Sequence, residues 1–212
     1  MSNLIWEPWI GDNFKNQENK ILLIGESHYA VNNGKPDPIA YNEFLTNRNS
    51  TIDVIRRNFN GESWSLFQNL YRALFRTSNI DRKLFWSKVA FYNFIQQPMT
   101  STTERPSIDL FAKSYEGFKE VIDKHQVTHC IFLGNTAALY FDRELLGKST
   151  FKQVKSEREK VGRFWATHKI ITDGTSEIKI YFIKHPSKYF SWSRWHEYLY
   201  RNEKELLESL HS

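Results

Sequence analysis

A run of four apolar residues that ends at a glycine constrains the fold more than any other feature of this 212-residue chain. Residues 21–24 are I-L-L-I, and Gly25 follows them directly. A short, continuous apolar run is typical of a strand that is buried on both faces, as in a parallel sheet. Glycine permits a sharp exit from such a strand, or a close approach of the backbone to a ligand. The sequence therefore predicts a parallel sheet that contains this strand.

Three further apolar segments, at residues 89–93, 129–133 and 178–183, alternate with helical patterns along the chain. Alternation of strands and helices favours a mainly parallel sheet with helices on both faces. We therefore expect a three-layer α/β/α fold with a central, mainly parallel four-stranded sheet. Residues 169–172 are predicted to form a hairpin with the last strand. The charged segment 147–163 is predicted to be irregular or a short helix.

Composition limits the class of protein. The length is compatible with one domain over residues 1–212. The net charge of +5 is compatible with a nucleic-acid partner, although a solvated mixed-charge surface explains it equally well. The single cysteine, Cys130, excludes an intramolecular disulfide and a multi-cysteine metal or iron–sulfur site. No signal peptide, lipidation motif or long apolar span is recognisable, so we expect a cytoplasmic protein with no membrane partner.

Polar side chains follow all four predicted parallel strands. Because the carboxyl ends of parallel strands meet at one edge of a sheet, where ligands bind in open α/β folds, we expect a shared site there. Each residue also has a structural alternative, such as a buried acid, a loop cap or an ordinary surface charge. The candidate residues are Gly25, Glu26, Ser27, His28, Tyr29, Asn93, Asn135, Lys184, His185, Ser187 and Lys188.

The order of these motifs resembles the uracil-DNA glycosylase superfamily. Its first motif, which is G-Q-D-P-Y, G-E-A-P-G or G-[IM]-N-P-G in different branches, corresponds to residues 25–29, G-E-S-H-Y. The Asn that ends the superfamily's second strand is matched by Asn93, and residues 131–138 resemble its third strand and following helix. Its closing H-P-S motif is matched by residues 185–187. The resemblance extends over about residues 20–192.

Residues 93–106 resemble the corresponding loop of the G-E-A-P-G branch, but the cysteines that hold that branch's iron–sulfur cluster are absent. Ser27 stands where the superfamily has a water-activating Asp or Asn. The resemblance therefore implies a uracil-DNA glycosylase-like fold, and a DNA-binding protein of the DNA-repair class that flips a base from the stack. We expect a monomer without a cofactor or a required metal.

The resemblance also implies roles for three catalytic candidates. Glu26 would stabilise positive charge on the sugar, or position water through Ser27, when the bond between base and sugar breaks. His185 would donate a hydrogen bond to the base oxygen, as the matched histidine does in the superfamily.

The remaining candidates would bind the substrate. Asn93 offers a donor and an acceptor to the edge of uracil, and Tyr29 would wall the pocket against a 5-methyl group. Lys184, Ser187 and Lys188 would bind a phosphate. Gly25, His28 and Asn135 complete the predicted substrate-binding set.

The sequence leaves open whether the protein is an enzyme, because a serine at position 27 cannot act as a carboxylate base. The first hypothesis is a glycosylase that acts on uracil or another deaminated base. The second is a non-catalytic member of the same fold that binds nucleic acid or a nucleotide. The third is a metal-dependent hydrolase built on Glu26, His28 and His185, for which no complete ligand set is recognisable.

Overall fold

The structure is a computed structural model that describes residues 4–211. Its described strands are β1 (Trp9–Ile10), β2 (Ile21–Gly25), β3 (Val31–Asn32), β4 (Lys35–Pro36), β5 (Ala90–Asn93), β6 (His129–Leu133), β7 (Lys152–Val161), β8 (Phe164–Thr172) and β9 (Glu177–Ile183). Seven of them form one sheet in the order β1-β5-β2-β6-β9-β8-β7, and β3 pairs with β4 in a separate ribbon.

The four strands expected from the sequence form the parallel centre of the sheet. β2 lies between β5 and β6 and is parallel to both, and β9 is parallel to β6. The expected hairpin is also present, since β8 pairs antiparallel with β9. The sheet is nevertheless larger than the predicted four strands, because β1, β8 and β7 extend it with antiparallel pairs.

The prediction for residues 147–163 was wrong, because most of this segment is the ten-residue strand β7. β7 is an edge strand whose residues are all exposed except Val161. A strand with both faces in solvent lacks the apolar alternation from which strands are recognised. Its pairing with β8, rather than burial of its own side chains, defines it as a strand.

Helices cover both faces of the sheet. They are α1 (Pro38–Thr46), α2 (Ser50–Phe59), α3 (Ser65–Phe75), α4 (Arg82–Lys88), α5 (Ile108–His125), α6 (Phe141–Glu144), α7 (Trp192–Asn202) and α8 (Lys204–Ser209). Alternate residues of β2 point to opposite faces: Leu23 packs in the cluster formed with α2, α3, α4, α7 and α8, whereas Leu22 packs in the cluster with α5 and α6. Side-chain caps mark several helix starts, as where Ser107 Oγ accepts from Leu110 N at 3.2 Å at the beginning of α5. In residues 4–211, no helix combines the length and apolar character needed to cross a membrane.

The loops that follow β2 and β5 run side by side beyond the sheet. Phe94 N donates to Gly25 O at 2.9 Å, Ile95 N donates to Glu26 O at 2.8 Å, and Met99 N donates to His28 O at 2.8 Å. The parallel pairing of the two strands therefore continues into the loops. This pairing fixes the backbone of residues 26–29 at the carboxyl edge of the sheet.

Candidate functional site

A cleft of about 550 Å³ opens at this carboxyl edge. Its volume lies within the roughly 300–1,000 Å³ typical of small-molecule sites. Nine of the eleven residues expected from the sequence line it: Gly25, Glu26, Ser27, His28, Tyr29, Asn93, Lys184, His185 and Ser187. The topology thus brings three strand ends, from β2, β5 and β9, to one cavity.

Glu26 is the acidic residue of the cleft lining. Burial raises the pKa of its carboxyl above the usual value, against the opposing effects of the Arg105 guanidinium and the Tyr29 hydroxyl. Burial and the Glu26 carboxylate together raise the pKa of Tyr29 to about 12. A carboxylate with a raised pKa is a better proton acceptor than a solvated one, which suits a general base.

Ser27 and His28 face the cleft, but both side chains are engaged by the protein. The Ser27 hydroxyl donates to the backbone oxygen of Gln97. The His28 imidazole lies 3.0 Å from the Thr51 hydroxyl, and its ring stacks on Phe44 at 4.8 Å between centroids. Burial, with a smaller contribution from the charge of Arg57, lowers the pKa of His28 to about 4. His28 therefore serves to hold the wall of the cleft, as a neutral packed ring.

Asn93 is buried and lies opposite Gly25 in the parallel pairing of β5 with β2. A Cβ atom at position 25 would approach Asn93 Oδ1 to less than 3.0 Å, so the glycine is required for this close approach. The Asn93 backbone oxygen accepts from Gln96 Nε2 at 2.6 Å. Within residues 4–211, its side-chain amide has no hydrogen-bond partner. A buried amide that is left without a protein partner is suited to bind a ligand.

His185 follows β9 and presents a second unpartnered polar group to the cleft. Burial, together with the charges of Lys184 and Arg105, lowers the pKa of its imidazole to about 4, so the ring is neutral near neutral pH. In the part of the chain that the structure describes, no group hydrogen-bonds to this ring. Its loop is anchored by Asn69 Nδ2, which donates to Pro186 O at 3.2 Å, and by Ser187 N, which donates to His185 O at 2.7 Å.

Two predicted binding residues lie away from the cleft lining. Asn135 Nδ2 donates to Trp165 O at 2.5 Å, so this amide fixes the start of β8 instead of facing the cavity. The position of β8 follows from its antiparallel pairing with β9. The sequence around Asn135 therefore cannot show that this amide binds Trp165 O. Lys188 is exposed, and its ammonium lies 5.1 Å from the centroid of the Tyr189 ring.

Several lining residues were not predicted as site residues. Arg57 and Trp64 come from α2 and the segment before α3, with the guanidinium 5.5 Å from the indole centroid. Thr102 and Arg105 come from the loop after β5. No local pattern identifies them, because only the packing of α2 and of this loop against the sheet edge brings them to the cleft.

The charges of the lining favour an anionic ligand. Three cations, Arg57, Arg105 and Lys184, surround the cavity, whereas Glu26 contributes the only carboxylate among its described lining residues. Burial, helped by the charges of Arg163 and Arg105, lowers the pKa of Lys184. The arrangement can hold phosphate groups at its rim and present a carboxylate, an amide and a neutral imidazole to the group inside.

The chain matches no protein-family model and no curated protein. In residues 4–211, no three His, Cys, Asp or Glu side chains come together closely enough to hold a metal ion.

Proposed function

We propose that this protein is a divergent uracil-DNA glycosylase-like protein, which binds DNA in the cleft and hydrolyses the N-glycosidic bond of uracil or another deaminated base. The observation that carries the proposal is the meeting of Glu26, Asn93 and His185 in one cavity with a cationic rim. A base inside a duplex cannot reach such a cavity, so the target nucleotide must be flipped out of the stack or be single-stranded.

The proposed recognition uses the two unpartnered polar groups of the cleft. The Asn93 amide offers a donor and an acceptor, which match the alternating acceptors and donor on the edge of uracil. The phosphates on either side of the flipped nucleotide would contact Arg57, Arg105 and Lys184. These contacts fix the position of the strand, while Asn93 selects the base.

In the proposed reaction, the bond between sugar C1′ and the base nitrogen breaks, and its electron pair leaves with the base. The Glu26 carboxylate stabilises the positive charge that develops on the sugar. Water adds to C1′ and its proton passes through Glu26, while the departing base takes up one proton. His185 donates its N–H to the base oxygen, where negative charge collects during bond breaking.

A second candidate function is non-catalytic binding of nucleic acid or a nucleotide in the same cleft. Ser27 favours it, because the hydroxyl cannot replace a carboxylate base and donates to Gln97 O. In that case the cationic rim and Asn93 would act as in the first proposal, whereas Glu26 and His185 would contribute only contacts.

Base release from labelled oligonucleotides that carry one uracil, single- and double-stranded and with or without a chelator, tests the proposal. We expect release that does not depend on metal. Glu26→Gln and His185→Asn should slow it by about 100-fold or more, with binding nearly unchanged, because their interactions matter most in the transition state. Lys119→Ala is the control, since Lys119 pairs with Asp123 on α5. Salt-sensitive binding without base release would favour the second function, and absence of both would overturn the two proposals.

A further inference from the structure

A second cavity, of about 250 Å³, lies at the turn between β7 and β8. Its walls include Gly162 and Arg163 from the turn and Phe164 from the start of β8. The opposite walls come from Tyr189, in the loop after β9, and from Arg194 and Trp195 on α7. This volume is below the roughly 300–1,000 Å³ of complete small-molecule sites, so the cavity suits one part of a larger ligand better than a ligand of its own.

Both charged side chains among the described residues of this cavity are guanidiniums. Arg163 and Arg194 line it, and no carboxylate does. Neither arginine has a carboxylate or hydrogen-bond partner in residues 4–211, whereas Arg143 pairs with Glu144 at 2.5 Å. An unpaired, exposed guanidinium presents a planar fork of donors that matches the oxygens of a phosphate.

Contacts between cations and aromatic rings connect this cavity with the main cleft. The Arg163 guanidinium lies 5.2 Å from the Phe164 ring centroid and 4.9 Å from that of Tyr189. The Lys184 ammonium lies over the same Phe164 ring, 4.7 Å from its centroid. Lys184 also lines the main cleft. A polyanion that leaves the cleft along Lys184 would therefore meet Arg163 next, because both cations lie over the same Phe164 ring.

We propose that this cavity is a phosphate subsite, in which Arg163 and Arg194 bind the backbone phosphate of a nucleotide that adjoins the one held in the cleft. The inference rests on the proposed nucleic-acid function and deepens it, because it assigns the ligand as a continuous strand instead of a single nucleotide. Phe164 and Tyr189 form the apolar walls against which the sugar packs.

The test compares two probes, deoxyuridine monophosphate and a labelled single strand of about ten nucleotides, a length within the range that one binding fold typically covers. In the double variant Arg163→Ala/Arg194→Ala, affinity for the strand should fall about tenfold. The slope of log affinity against log salt should decrease in magnitude by about 0.7, since the subsite holds one phosphate and each phosphate contact on a single strand contributes about 0.7. Affinity for the mononucleotide should stay within about twofold of wild type, because the cleft is intact.

The control is the double variant Lys119→Ala/Arg48→Ala, which loses the same two positive charges. In the wild type these side chains pair with Asp123 and Glu7, so their loss should leave strand binding unchanged. Both target arginines are exposed, so a melting curve should show that the test variant folds like wild type. Strand binding with wild-type affinity and salt slope would overturn the subsite while the proposed function stands. Equal loss for both probes would overturn it too, since the arginines would then act on the cleft. If wild type binds neither probe, the proposed function itself fails.

Discussion

Replacing Gly25 with alanine should remove base recognition through a neighbour that is not itself changed. The new Cβ would lie under 3.0 Å from Asn93 Oδ1 and 2.9 Å from Phe91 Cζ. Phe91 is 4% exposed and is held by edge contacts with Phe67 and Trp86, at 5.9 and 6.0 Å between centroids. The aromatic ring cannot move easily, so the Asn93 amide must turn out of its position.

The magnitude follows from these two contacts. Forcing a methyl group into a packed site typically costs about 1–3 kcal/mol of stability. Displacing an amide that pairs with a base edge should cost roughly 1–3 kcal/mol of discrimination between bases, or about 5- to 150-fold. We expect Gly25→Ala to lose that factor in the preference for deoxyuridine over deoxycytidine trinucleotides, measured by titration calorimetry.

A double-mutant cycle with Asn93→Ala isolates the cause. In the Asn93→Ala background, Gly25→Ala should cost almost no further discrimination, although the clash with Phe91 still lowers stability. Gly147→Ala is a matched control, since its Cβ would meet only Asp142 O at an ordinary 3.6 Å. Full base preference in a well-folded Gly25→Ala protein would refute the argument, as would additive effects in the cycle.

Three further predictions concern residues of the loop after β2: the protonation of Glu26 and His28, and the role of Ser27. The midpoint of the acid limb of the pH–rate profile should lie above the usual glutamate pKa of 4.5, because burial raises the pKa of Glu26. Glu26→Gln should abolish that limb. A limb that persists in the variant would show that another group titrates there. Stability should fall as the pH drops from 6.5 towards 4, because the pKa of His28 is lowered to about 4 in the folded protein and the unfolded chain binds the proton first. His28→Gln should flatten that slope in denaturant titrations, and an unchanged slope would contradict its burial as a neutral ring. Ser27→Asp should lower the free energy of unfolding by about 1 kcal/mol or more, since a carboxylate would face the Gln97 carbonyl. Unchanged stability with faster base release would show instead that position 27 serves catalysis.

The parallel centre of the sheet was predictable because each of its strands is a compact apolar run followed by a polar group. β2 is buried along its whole length, which is the condition under which an unbroken apolar run identifies a strand. β7 was not predictable, because its stability comes from pairing with β8 and its own side chains are solvated. β8 was predicted in part, as the hairpin partner of the last strand over residues 169–172, whereas the two-residue strand β1 is too short to be recognised from the sequence.

The candidate site was predictable only as far as strand ends define it. Glu26, Asn93 and His185 lie at the carboxyl ends of β2, β5 and β9, so the parallel topology alone brings them to one edge. Asn135 also follows a strand, but its amide turns to Trp165 on β8, a partner that sequence cannot supply. Arg57 and the other helix and loop residues of the rim depend on tertiary packing. That cationic rim carries much of the argument for an anionic ligand.

The most direct measurement is single-turnover base release from a single-stranded oligonucleotide with one uracil, by wild type and Glu26→Gln in parallel. We expect release by wild type, with an abasic site as the second product, and a loss of about 100-fold or more in the variant. Salt-sensitive binding should be nearly equal in the two proteins. An intact uracil after prolonged incubation with folded, DNA-binding wild type would contradict the glycosylase account, as would equal rates for wild type and Glu26→Gln.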